Sequence, residues 1–214
     1  NHISILPPRI QIMLWNIRSG LATTDPKDRL KEILNILLHY RDIKDPQEFF
    51  SPPLPSRDLL FQNLPDLNQE QLNQALRLIK NQIITQKSIL IYGDYDCDGV
   101  CASAILYRAL KDLGAVVDVF IPHRIEHGYG LSRKGIDQAL ATLSNPLVIT
   151  VDNGITAIDT VEYLRSKNIG VIITDHHQPS TSLPNANSIV HTTLLSGSGV
   201  AWLLGSFLAG KRLP

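Results

Sequence analysis

Five short apolar runs constrain this 214-residue chain more than any other feature. They occupy residues 88–92, 116–121, 146–151, 170–174 and 188–190. Each is too short for a stable helix and shows little polar alternation, the pattern of strands covered on both faces. Residues 100–113 and 157–167 between them follow a helical period, and another helix is expected near residues 199–208. This succession predicts an α/β domain with a parallel, doubly wound sheet over residues 87–195. Residues 196–214 are expected to continue that domain as a helical segment.

Residues 1–86 read differently, as a small helical N-terminal region. Asp25-Pro26 opens a helix whose Leu30, Ile33, Leu34, Leu37 and Leu38 form one stripe. Asp45-Pro46 opens a shorter one, which the proline-rich residues 51–55 break. Asn68 is placed to cap a third helix, with Leu72, Leu76 and Ile79 on one face. No cluster of chemically active residues occurs here, so packing or positioning is the expected role.

Composition excludes several classes. Apolar residues make up 43% of the chain, enough for a packed core. Twenty basic residues balance twenty acidic ones, so no net field draws the chain to nucleic acid and only a local groove remains open. Cys97 and Cys101 are the only cysteines. They fall short of the roughly four ligands of a zinc site and are expected to be small buried residues in a reducing, cytoplasmic setting. No stretch approaches the roughly 20 apolar residues of a membrane span. The start at Asn1 and the ending Lys211-Arg212-Leu213-Pro214 suggest a segment of a longer protein.

The chemistry lies where strands end. The first is followed by Gly93-Asp94-Tyr95-Asp96-Cys97-Asp98-Gly99, the third by Asp152-Asn153-Gly154, and the fourth by Asp175-His176-His177. Ligands of open parallel sheets bind at the carboxyl ends of strands, so the three clusters are expected to converge. A lone Asp after a strand is usually a turn former, but three such clusters at three strand ends are not accounted for that way. Carboxylates crowded together stay ionised only when cations compensate them. Carboxylate with imidazole suits manganese, or magnesium where oxygen dominates, and two such ions can drive phosphate-ester hydrolysis. Asp94, Asp96, Asp98, Asp152, His176 and His177 are therefore the expected ligands.

These motifs resemble the DHH phosphoesterase superfamily, whose triplet is Asp175-His176-His177 here. The stretches 92–99, 150–154 and 174–177 look most like its RecJ-type single-strand-specific DNA exonucleases, as do residues 121–131 and 196–201. The resemblance covers about residues 87–208 and extends more loosely to the leading helices. It implies two Mn2+ or Mg2+ ions, single-stranded DNA as substrate, removal of nucleotides from a 5′ end, and a setting in repair or recombination alongside repair proteins. It also implies that Asp96, Asp98, Asp152, His176 and His177 serve as ligands and catalytic residues, with Asp94 beside them. Asp175 is expected to support the loop or orient an imidazole. Arg124 is the candidate for the substrate phosphate, with His127 and Tyr129 behind it, although Tyr129 alternatively packs beside the glycines. Ser196 and Gly197 either present amides to a phosphate or permit close packing.

The family continues further, with another aspartate and a second domain, and the join at residues 190–196 is shorter than usual. Other readings are a phosphatase or oligoribonuclease for short nucleotides, and a scaffold without activity.

Overall fold

The computed structural model describes Gly20, residues 25–51 and residues 57–210, the side chains of residues 57–59 excepted. It divides into two compact units, Asn1–Pro55 and Ser56–Pro214. The described part of the first holds α1 (Pro26–Tyr40) and α2 (Pro46–Phe50). Both begin with an Asp-Pro pair. Asp25 accepts a hydrogen bond from the Lys27 amide, and Asp45 accepts from those of Gln47 and Glu48. Proline at the first helical position lacks a donor that would be unpaired there anyway. The break expected at residues 51–55 lies outside the described residues except for Ser51.

The second unit contains α3 (Arg57–Asn63), α4 (Gln69–Ile84), β1 (Ile89–Tyr92), α5 (Cys97–Asp112), β2 (Val117–Phe120), α6 (Arg124–His127) and α7 (Arg133–Leu140). It continues with β3 (Leu147–Val151), α8 (Ile158–Ser166), β4 (Val171–Asp175), β5 (Ser188–His191) and α9 (Gly197–Ala209). All five strands are parallel, in the order β2-β1-β3-β4-β5. Ile89, Ile91, Ile149 and Ile172 face α4, α5 and α9, whereas Leu90, Tyr92, Val148 and Ile173 face α7 and α8. Strand periodicity of two, with apolar residues at both phases, thus produces a sheet sandwiched between two helical layers. The expected α/β class and parallel doubly wound sheet are what the chain adopts.

The expected boundary after residue 86 is corrected: α3 and α4 fold with the sheet. Leu72, Ala75, Leu76 and Ile79 of α4 are buried in the same core as β1 and β3. Gln71 also reaches the edge strand, where its side-chain oxygen accepts from the Ile189 amide (2.9 Å) and its carbonyl from the Ser188 hydroxyl (2.6 Å). An amphipathic helix shows in sequence that one face is covered, but not by what. The helix expected near residues 199–208 is α9, buried along most of its length against α5 and α4.

Cys97 and Cys101 are also corrected. Both are exposed, because their spacing of four places them together on the solvent-facing side of α5.

Truncating Leu72→Ala, which is fully buried, should destabilise the chain by about 2–5 kcal/mol in urea unfolding. Leu30→Ala, on the exposed side of α1, should change stability by less than about 0.5 kcal/mol. Equal effects would contradict the place of α4 in the core.

Candidate metal centre

Three central strands deliver the acidic and imidazole side chains to one edge of the sheet. Asp94 and Asp96 follow β1, Asp152 follows β3, and Asp175 ends β4 just before His176 and His177. Ligating atoms of Asp152, His176 and His177 lie within 4.8 Å of one another, and so do those of Asp94, Asp96 and Asp152. Asp152 belongs to both groups.

Asp152 is held in an unusual state. Its φ of 63° lies in the left-handed region that side chains other than Gly, Asn and Asp seldom occupy. The turn is fixed around it: Thr150 donates to the Asn153 carbonyl (2.7 Å), Thr174 to the Thr150 carbonyl (2.7 Å), and the Asn153 amide group to the Val151 carbonyl (3.0 Å). The carboxylate is 1% exposed, and its Oδ1 has no hydrogen-bond partner. His176 Nε2 stands 3.1 Å from that oxygen without the alignment of a hydrogen bond. Burial first, then the charges of Asp98 and Asp96, push the Asp152 pKa up to about 7. Burial also raises that of Asp94, helped by Asp96, against the opposing hydrogen bond from the Tyr95 amide. A buried carboxylate oxygen without a donor, next to an imidazole nitrogen and further carboxylates, is suited to a divalent cation.

Asp175 takes a different position. It is buried, and it accepts hydrogen bonds from the Ile155, His176 and His177 amides and pairs with His177 Nδ1 at 2.7 Å. That contact orients the ring and leaves Nε2 outside it, 3.4 Å from the Tyr129 hydroxyl. Burial disfavours the charged imidazole, but the hydrogen bond and charge of Asp175 outweigh it and raise the His177 pKa.

Asp96 caps α5, accepting from the Gly99 amide at 2.9 Å. Asp98 lies outside both groups of three. Its two oxygens accept the Gly197 and Ser198 amides (2.7 and 2.8 Å), and His176 Nε2 is 3.7 Å away. Burial would raise its pKa, yet the Ser198 hydroxyl and these two amides bring it below the usual carboxylate value. Asp98 therefore ties the start of α9 to the start of α5. Of the two roles open to Gly197, an amide for a phosphate or close packing, the first meets an amide already taken by this carboxylate. Ser196 is the helix cap, its hydroxyl accepting from the Gly199 amide (3.2 Å) and meeting the Ser198 hydroxyl (2.9 Å). Gly197 serves close packing instead, because a Cβ there would run into the Asp152 carboxylate.

His127 is corrected from a substrate contact to a core residue. It is buried, its Nδ1 accepts from the His123 amide, its Nε2 meets Gln138 Oε1 (2.7 Å), and its ring packs on Phe120. Tyr129 is 67% exposed, with its hydroxyl 3.4 Å from His177 Nε2. The Arg124 guanidinium lies over the ring of Tyr95, 5.5 Å from its centre, and Tyr95 meets Tyr129 edge to face. Tyr95 was not singled out in the sequence, since a tyrosine between two aspartates carries no signal of the arginine it supports.

The family described as DHH family, N-terminal domain, matches residues 88–212. A single-stranded-DNA-specific exonuclease RecJ of Bacillus subtilis is 37% identical over 149 residues, 65% of this chain and 19% of that protein. Its counterpart from Dickeya dadantii is 32% identical over 197 residues, 87% of this chain and 33% of that protein. The chain thus spans between about a fifth and a third of the length of these relatives. Among solved structures, an exonuclease RecJ bound to manganese superposes with a TM-score of 0.62 at 38% identity, over 74% of this chain and 40% of that one. RecJ of Thermus thermophilus in complex with Mn2+ gives 0.62 at 33% identity, over 83% of this chain and 25% of that one. Family match, sheet order and clustered strand ends agree, and this chain belongs to the DHH family.

Proposed function

We propose that this chain carries the cation-binding part of a phosphodiesterase that removes nucleotides from the 5′ end of single-stranded DNA. The observation that carries the reading is the unpartnered, buried oxygen of Asp152 at the junction of two ligand groups. Mn2+, or Mg2+, is the expected cation. Asp152, His176 and His177 would hold one ion, and Asp94, Asp96 and Asp152 a second. Two bound cations supply electrostatic stabilisation of a phosphodiester undergoing displacement and activation of the attacking water.

The chain's own residues do the remaining work. Asp175 orients the His177 ring, and Asp98 fixes the start of α9. Each Asp98 oxygen keeps a second lone pair, so it can also contribute to a cation held by His176. Arg124, supported on Tyr95, is the guanidinium available to a substrate phosphate. The choice of single-stranded DNA rests on the RecJ exonucleases that the chain resembles at 32–37% identity. The same likeness supports a cytoplasmic role in repair or recombination beside other repair proteins. Among the described residues no helix is long and apolar enough to cross a membrane.

Titrating Mn2+ should raise the melting temperature, and more at pH 8 than at pH 6, because Asp152 and His177 must give up protons to bind it. Asp152→Asn should lose this rise. A flat response to Mn2+ in the unaltered chain would remove the ground of the proposal.

Without cation, the native state keeps the Asp152 proton up to about pH 7, whereas the unfolded chain releases it near the ordinary carboxylate value. This contribution to stability is complete below the unfolded value and lost as pH rises through about 7. The melting temperature of the cation-free chain should therefore fall more between about pH 5 and 8 than that of Asp152→Asn. Parallel curves would count against a protonated Asp152.

Gly197→Ala, which drives a methyl group into Asp152, should destabilise the chain by about 1–3 kcal/mol and weaken its response to Mn2+. Urea unfolding with and without Mn2+ measures both.

A further inference from the structure

Beside the acidic and imidazole cluster lies a cavity of about 500 Å3, within the size range of small-molecule sites. Its walls include Tyr129, Leu131, Ile155, Ala157, His177 and Gln178. Leu131 and Ile155 are buried, Ala157 is half-buried and Gln178 is exposed at the mouth. Among the described residues no lysine or arginine lines the cavity, and Asp175 stands on its wall. A phosphate would meet a carboxylate there and no cation. An uncharged, flat, partly apolar group would meet aliphatic side chains and an aromatic ring.

Tyr129 supplies that ring. It is 67% exposed, far more than a tyrosine packed for stability alone. Its position is set at both ends: the hydroxyl reaches His177 Nε2 at 3.4 Å, and the ring meets Tyr95 edge to face at 6.3 Å, with Arg124 held over Tyr95. An exposed aromatic face whose mount is fixed is a stacking platform. Gln178 adds a donor and an acceptor, the pair a base edge can use. His177 belongs both to the cavity wall and to a ligand group, so the occupant adjoins whatever phosphate sits at the cluster.

We propose that this cavity receives the base of the nucleotide whose phosphate lies at the cluster, with Tyr129 as its stacking face and Leu131, Ile155 and Ala157 as its apolar wall. The inference rests on the phosphodiesterase reading and adds to it a subsite for the nucleobase.

The test compares dAMP with 2-deoxyribose 5-phosphate by calorimetric titration of the Mn2+-loaded chain. The two ligands share the sugar phosphate and differ only in the base. dAMP should bind about ten-fold tighter or more, the size of one base–aromatic stack. Ala157→Phe, which fills the cavity, and Tyr129→Ala should each abolish the difference, while Tyr129→Phe keeps it. The Mn2+-induced rise in melting temperature reports whether each variant is folded. If Ala157→Phe fails that check, the Tyr129 pair decides alone. Equal binding of the two ligands, or a base preference that survives Tyr129→Ala, overturns the base subsite and leaves the phosphodiesterase reading standing. If neither ligand binds and Mn2+ does not shift melting, both fall together.

Discussion

A carboxylate buried among other carboxylates, with one oxygen that accepts no hydrogen bond, is the constraint around which this unit is arranged. Asp152 is 1% exposed, lies in left-handed backbone and adjoins the acidic residues after β1. Such a group costs stability unless something neutralises it. The surroundings nonetheless keep it in place: two threonines and the Asn153 amide group brace its turn. Gly197 allows the last helix to close over it without a Cβ in the way. Strain and unsatisfied polarity that a fold maintains through several independent contacts are usual at functional sites.

Much of this was legible in the sequence. The three central strands, β1, β3 and β4, are nearly apolar at both phases, so their burial between two helical layers follows from composition at the residue level. Asp94, Asp96, Asp152, His176 and His177 each lie just past a strand, and parallel topology alone brings strand ends together. What periodicity does not encode is which partner an amphipathic face meets. Nothing in the spacing of Leu72, Leu76 and Ile79 distinguishes a separate helical region from a helix laid on the sheet. Contacts between Gln71 and residues 188–189, 117 and 118 positions apart, settle it and leave no local trace.

The same limit explains the corrections near the site. His127, three residues after Arg124, reads as available, but Gln138 and the His123 amide occupy both its ring nitrogens. The glycine-serine stretch that opens α9 reads equally as a phosphate cradle or a close-packing turn, and the amides of Gly197 and Ser198 face an anion from the same chain, Asp98. In both cases the local sequence identifies a group able to bond, and only the fold determines what satisfies it.

The pairing of Asp98 with α9 also bears on the order in which the molecule can be completed. Residues 94 to 177, with the acidic residues and both histidines, leave the ribosome before α9, and the amides that answer Asp98 arrive about a hundred residues after it. Until Gly197 and Ser198 emerge, that carboxylate has only the first turn of its own helix beside it, and the nascent sheet lacks the compensation of these two amides. Docking of α9 therefore follows the emergence of all three strand-end clusters, and it both adds to the core and quiets one of the charges at the strand ends.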